Sequence, residues 1–197
     1  ALLTNATSNN NSAFGDYALQ ATTAGDNSAF GYRSMYTNSS GAHNTAIGMN
    51  ALYSNTTASN NTAVGYEALK LNTTGTINTA LGRQALKNNT TGADNTAAGY
   101  ALVSNTTGNT NSALGRGALN GNTTGSSNTA VGYNSLDANT TASGNTAVGY
   151  NSLGANTTGS GDVAIGYGAL EANTTANSNT AVGYESLHLN TTGEQNT

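Results

Sequence analysis

An apolar residue returns at a nearly constant interval along the 197-residue chain, at Phe14, Phe30, Ile47, Val64, Leu81, Ala98, Leu114, Val131, Val148, Ile165 and Val182. A second apolar row follows it, Leu in every copy from Leu2 through Leu187 except Met35. Polar residues and glycine fill the intervals, and they recur as faithfully as the apolar ones. Counted from the Asn that opens each copy (Asn11, Asn27, Asn44 and onward, with Asp162 as the exception), the period is 17 residues, with two copies of 16. The consensus is Asn-Thr-Ala-Val-Gly-Tyr-x-Ala-Leu-x-x-Asn-Thr-Thr-Gly-x-x, whose positions we number as slots 1 to 17.

Slots 2 to 6 combine β-branched and aromatic residues and predict a short strand. Slots 7 to 11 predict a second strand, and Asn-Thr-Thr-Gly predicts the turn that follows. Strand alternation puts slots 2, 4 and 6 on one face and slots 3 and 5 on the other, so slots 4 and 9 become the expected core. Two repeats sum to the length of a helical-hairpin unit, but slot 5 argues against helices. It is Gly in all eleven complete copies, from Gly15 to Gly183, and each would cost a helix about 1 kcal/mol relative to Ala. The expected fold is therefore all-β, a β-solenoid with one coil per 17-residue repeat.

Residues 1–197 read as a single repeat array, eleven complete coils with partial repeats at both ends. Both termini fall inside a repeat, and neither end shows the atypical copy that closes a stack. The expectation is a piece of a longer chain.

Composition narrows the function classes. Charged residues make up 7% of the chain and hydrophobic ones 36%, without Pro, Trp or Cys. That polarity without charge suits a fibre or surface protein, and the regular apolar slots argue against a disordered tract. The net charge is −4, and all five basic residues (Arg33, Lys70, Arg83, Lys87, Arg116) precede residue 117. A nucleic-acid partner is not expected, because phosphate binding needs a basic stripe. No apolar run approaches the roughly 20 residues of a membrane span.

The segment Asp162-Val-Ala-Ile-Gly-Tyr-Gly-Ala-Leu, with Asn128-Thr-Ala-Val-Gly-Tyr and Asn27-Ser-Ala-Phe-Gly-Tyr, resembles the head repeats of trimeric autotransporter adhesins and similar repeats of phage tail-fibre proteins. The resemblance covers the whole chain. It implies left-handed β-rolls that trimerise, in a protein of the cell surface or the virion. The longer unit and the Asn-Thr-Thr-Gly corner look more like the tail-fibre arrays.

Three sets of residues invite a functional reading. Asn122, Asn139, Asn156, Asn173 and Asn190 in slot 12 align on successive coils, as do Gly132, Gly149, Gly166 and Gly183 in slot 5 and Leu136, Leu153, Leu170 and Leu187 in slot 9. They read as a structural ladder, since stacked amides hydrogen-bond along a cross-β axis. The slot-12 Asn also opens Asn-x-Ser/Thr, which makes Asn38, Asn55, Asn72, Asn89 and Asn105 N-glycosylation acceptors by sequence. Tyr133, Tyr150, Tyr167 and Tyr184 in slot 6 form a candidate binding ladder for sugars. The alternative is that these rings cover the apolar stripe or sit between subunits.

Thr rows in slots 2, 13 and 14 raise an ice-binding face, but the adjacent slots 13 and 14 cannot share one flat strand face. No nucleophile–base pair, metal spacing or phosphate loop recurs, so catalytic residues, metal and cofactors are expected to be none. The sequence thus points to a non-catalytic extracellular shaft or head segment that mediates surface attachment, in a homo-oligomer with a trimer favoured. The alternatives are a subunit of a self-assembling filament and a glycan- or ice-binding solenoid.

Overall fold

The computed structural model describes residues 9–197, so the slot-9 Leu2 lies outside the described residues. The fold is a β-solenoid with eleven parallel strands and no helix among the described residues. The chain divides into two compact units, residues 1–98 and 99–197. Strands β1 (Ser12–Phe14), β2 (Ser28–Phe30), β3 (Thr45–Ile47), β4 (Thr62–Val64), β5 (Thr79–Leu81) and β6 (Thr96–Ala98) belong to the first unit. The second unit holds β7 (Ser112–Leu114), β8 (Thr129–Val131), β9 (Thr146–Val148), β10 (Val163–Ile165) and β11 (Thr180–Val182).

Within each unit every strand pairs in parallel with the next in sequence, and the register sets like slots side by side: Ala46 opposite Ala63, Ala147 opposite Ala164. The repeat makes this possible. A parallel pair normally needs a long crossover between its strands, and here the rest of the coil supplies it.

Only slots 2 to 4 are strand, so the second strand expected over slots 7 to 11 is replaced by turns. The reason lies in the backbone. Slots 7 and 9 both adopt left-handed conformations, as at Asn151 (φ 52°) and Leu153 (φ 50°), with slot 8 between them. A left-handed Leu costs about 1–2 kcal/mol, yet every slot-9 Leu or Met from Leu19 to Leu170 takes that conformation and is fully buried. The double twist points slots 8 and 9 inward together, which an alternating strand cannot do.

The core also differs from expectation at slot 4. Slot 3 Ala, slot 8 Ala or Ser and slot 9 Leu form the interior, with the slot-1 and slot-12 Asn side chains beside them. Slot 4 faces outward instead. Phe14, Ile47 and Leu81 in the first unit and Leu114, Ile165 and Val182 in the second are exposed. Slots 2 and 4 share the outer face of the sheet because slot 3 fills the inner one, where only a methyl group fits between neighbouring coils.

Backbone bonds stitch each coil to both neighbours. In the second unit the slot-5 amide of Gly149 donates to Val131 in the preceding coil at 2.8 Å, and the slot-9 amide of Leu153 donates to Ala169 in the following coil at 3.0 Å. The Gly column sits where these backbones press together. Gly149 has φ +135°, and a Cβ there would lie 2.7 Å from the carbonyl carbon of Gly166. Slots 3 and 5 are therefore occupied by the solenoid's own coils, the alternative to a subunit contact at those positions.

Candidate functional site

Two buried amide ladders flank the Leu core. In slot 12 each Asn donates one N–H to the side-chain oxygen of its counterpart in the preceding coil and the other to a carbonyl three residues ahead. Asn122 Nδ2 reaches Asn105 Oδ1 at 2.9 Å and Gly125 O at 2.9 Å. Asn139 reaches Asn122 Oδ1 at 2.8 Å and Ala142 O at 3.2 Å. The bonds between successive side chains lengthen toward the end of the second unit, to 3.4 Å at Asn156, 3.3 Å at Asn173 and 3.5 Å at Asn190. Where the first short copy lacks its slot-12 Asn, the hydroxyl of Thr22 takes the place and accepts from Asn38 Nδ2 at 3.2 Å.

Slot 1 runs a second ladder in which the side-chain oxygen accepts a backbone N–H from the next coil, as Asn128 Oδ1 does from Asn145 N at 3.0 Å. Its Nδ2 donates to the slot-15 carbonyl, as Asn145 does to Gly159 O at 2.8 Å. A buried polar group left unpaired costs about 1–3 kcal/mol, and the ladders give these buried amide nitrogens acceptors inside the stack, as Gly159 O does for Asn145 and Gly92 O for Asn78.

These contacts correct the glycosylation reading. Asn38, Asn55, Asn72, Asn89 and Asn105 are fully buried, and their amides are held inside the stack, Asn55 Nδ2 by Asn38 Oδ1 at 2.8 Å and Asn89 Nδ2 by Gly92 O at 2.8 Å. A glycan has no room on such a nitrogen in the folded chain.

Leu136, Leu153 and Leu170 are fully buried, whereas Leu187 near the end of the described chain is 37% exposed. Gly132, Gly149 and Gly166 each lie against the next Gly of their column, ending at Gly183.

Asp162 breaks the slot-1 pattern. Fully buried, it accepts from Asn179 N at 2.8 Å, Asn179 Nδ2 at 3.3 Å and Asn173 Nδ2 at 3.3 Å. Burial pushes its pKa up, the bonds from Asn179 pull it down, and Glu194 adds to the rise, with the net shift upward. The carboxylate has no N–H to offer Ala176 O, the counterpart of Gly159 O one coil earlier. Because the folded pKa lies above the unfolded one, Asp162 favours the fold most below the unfolded value, and that contribution is lost as pH rises through the folded value. Asp162→Asn is expected to stabilise the second unit at neutral pH by about 1–3 kcal/mol and to remove this part of the pH dependence. Urea unfolding of both chains at acid and neutral pH checks it.

Glu67 in the first unit shows the opposite shift. Burial works to raise its pKa, but bonds from Lys70 (2.6 Å), Gln84 (3.0 Å) and Lys87 (2.9 Å) outweigh burial and hold it down at about 2. It clamps two successive coils together at every pH above the ordinary carboxylate range, and the clamp fades only as pH falls toward 2.

The Tyr ladder is a stack of rings. Tyr133, Tyr150, Tyr167 and Tyr184 lie 5.1–5.3 Å apart between centroids and within 10° of parallel. Each covers the face of its neighbour, so solvent meets ring edges and hydroxyls along the row. Arg116 occupies the preceding rung, with its guanidinium 5.4 Å from the Tyr133 ring centroid and Nη1 donating to the Tyr133 hydroxyl at 2.8 Å. A sugar that packs against aromatic faces finds few free ones here. The slot-13 Thr hydroxyls are likewise engaged, Thr123 Oγ1 donating to Thr140 O at 3.0 Å.

Slots 7 and 10 are among the positions where coils of the second unit differ from one another. Two hollows open there. One, of about 230 Å³, is lined by Asn134, Asp137, Asn151, Gly154, Ala155 and Glu171. The other, of about 310 Å³, shares Asn134 and Asp137 with it and adds Arg116, Gly117, Asn120 and two Tyr residues. Sequence reasoning passed over these positions because variability in a repeat looks like noise. The signal was there in the glycines, Gly117, Gly154 and Gly168, which interrupt two otherwise side-chain-bearing columns.

Among the described residues no group of three or more His, Asp or Glu is placed to hold a metal ion, and no helix is long and apolar enough to cross a membrane. The fold and its buried ladders define a β-solenoid repeat protein. No family model, no curated protein and no solved structure matches the chain.

Proposed function

We infer that the chain is a non-catalytic structural segment of an extracellular fibre that mediates surface attachment, on a cell or a virion, and that it works as a homo-oligomer with three copies favoured. The observation that carries this reading is the outer face of the sheet. Slot 4 presents an apolar side chain on every coil, 40% exposed at Ile165 and 67% at Val182, and slot 2 beside it is Ser, Thr or Val throughout, without a charge. A contiguous uncharged apolar stripe of this kind is the usual mark of a contact surface. The stripe lies on slots 2 and 4, so the subunit contact belongs there and not on the Ala/Gly slots.

The test is the mass in solution by light scattering. A stable trimer that becomes monomeric in a Val148→Glu/Ile165→Glu double variant is the expected result. A wild-type monomer at every concentration would overturn the oligomeric reading, and concentration-dependent growth would replace it with a filament.

A further inference from the structure

Asn120 and Gly121 are the one Asn-Gly pair in the chain, at slots 10 and 11 of a coil in the second unit. Asparagine is chemically labile, and a glycine after it leaves the next backbone nitrogen unhindered and free to swing toward the carboxamide. The slot-12 ladder holds its carboxamides by hydrogen bonds, as at Asn122 and Asn139. Asn120 is different. It is half-buried, its Oδ1 is shielded from solvent without a partner, and no hydrogen bond among the described residues holds its side chain.

What the fold holds is the neighbouring nitrogen. Gly121 N–H donates to Asp137 O in the following coil at 2.9 Å, and that oxygen lies 2.6 Å from where a Cβ of residue 121 would be. The close approach of the next coil therefore requires glycine at 121, although Ala138 and Ala155 fill the same slot elsewhere. The backbone on either side is pinned as well, Leu119 N to Ser135 O at 3.0 Å and Asn122 N to Leu119 O at 3.2 Å. While the coils are stacked, the Gly121 nitrogen cannot turn onto Asn120 Cγ without giving up its bond to Asp137. Once they part, neither group is restrained.

We propose that Asn120-Gly121 is a self-modification site that records the opening of this coil. The Gly121 nitrogen gives its proton to solvent base and bonds to Asn120 Cγ, the Cγ–Nδ2 bond breaks, and Nδ2 takes up a proton and leaves as ammonia. The cyclic imide then takes up one water. Cleavage of the new N–Cγ bond leaves an aspartate at position 120, whereas cleavage at the backbone carbonyl leaves an isoaspartate, whose main chain runs through the side chain and is one atom longer. Neither product fits the stack that Asn120 left. The aspartate sets a carboxylate where the shielded Oδ1 has no donor, in the hollow shared with Asp137, whose own pKa burial already raises. The isoaspartate displaces the Gly121 nitrogen from Asp137 O. The change is one-way, so a coil that has opened long enough to react closes more weakly than before. It acts on the chain's own backbone and does not depend on the oligomer, so it and the fibre reading can fail separately.

The test is peptide mapping by mass spectrometry of the whole chain aged at mildly alkaline pH, in buffer and in guanidinium chloride strong enough to unfold it, with isoaspartate read by methyltransferase labelling. In denaturant, conversion at Asn120 should outpace that at every other Asn. In buffer it should be slowed at least about tenfold, because only the opened fraction of molecules reacts. Asn120→Gln, for which Gln20 in the same slot is the precedent, should remove the modification and leave the urea midpoint of fresh chain nearly unchanged. Wild-type chain aged in denaturant and refolded should unfold at lower urea than fresh chain, and Asn120→Gln aged in the same way should not. If Asn120→Gln fails to fold, the comparison of buffer with denaturant carries the test. Conversion as fast in buffer as in denaturant, another Asn reacting first in denaturant, or an aged wild type that refolds with its original midpoint would each overturn the proposal.

Discussion

Gly149→Val is expected to unfold the second unit or to cost it on the order of 4 kcal/mol or more. The residue sits at φ +135°, a region that side-chain-bearing residues rarely adopt, and its missing Cβ faces the backbone of Gly166 and not a side chain that could rotate away. Relief would require neighbouring coils to separate, and that would break the amide bond from Gly149 to Val131 and the bond from Gly166 to Val148, both 2.8 Å. Ser152→Ala is the matched control. Its hydroxyl makes one weak bond, to Gly149 O at 3.3 Å, and Ala118 and Ala169 fill the same slot in other coils, so its cost should stay within about 1 kcal/mol. Urea unfolding followed by circular dichroism distinguishes the two. Near-equal midpoints would show that the Gly column is not a tight contact.

Asn139→Ala is the second large effect, an expected loss of about 3 kcal/mol or more. The substitution removes two donated bonds, to Asn122 Oδ1 and Ala142 O, and takes from Asn156 Nδ2 one of its two acceptors, Asn139 Oδ1, leaving it Gly159 O. All of this happens at a fully buried position, where water cannot replace the lost partners. Asn139→Asp keeps the shape but replaces the donor with a buried charge. It should destabilise at neutral pH and recover in part in acid, when a protonated carboxyl can donate again. Thr124→Ala, at an exposed corner, should change stability by no more than about 0.5 kcal/mol. Equal unfolding of Asn139→Ala and Thr124→Ala would mean that the amide ladder contributes nothing to the stack.

Much of this architecture was legible in the repeat. One coil per 17 residues, the Asn-Thr-Thr-Gly corner and the Leu row follow from period and residue type alone. The slot-4 row did not, and the reason lies in the sizes it tolerates. Positions packed between coils admit one shape, Ala at slot 3 and almost always Leu at slot 9, whereas slot 4 ranges from Ala98 to Phe14. A row that accepts both is under no packing constraint, so hydrophobicity marked it as core while its variation marked it as surface.

The second strand failed for a different reason. Slots 8 and 9 are both buried, which an alternating strand forbids, and the left-handed Leu that resolves the conflict is the conformation propensity ranks last for that residue. Of the candidate site residues, the buried amides were visible as constant Asn, but constancy alone could not separate a glycan acceptor from a buried rung. The hollows at slots 7 and 10 were hidden because a cavity comes from absent side chains on neighbouring coils, and no single copy contains that information.

The register of the coils has a genetic consequence. Wherever consecutive copies are 17 residues long, excising one copy rejoins an Asn rung to an Asn rung, a Gly to a Gly and a Leu to a Leu, so the contact that forms is the one that was removed. Recombination between such copies can therefore lengthen or shorten the array by whole coils without creating a misfit for selection to remove. The number of coils becomes a heritable variable, separable from the chemistry of any one of them, and a lineage can adjust it in a single step.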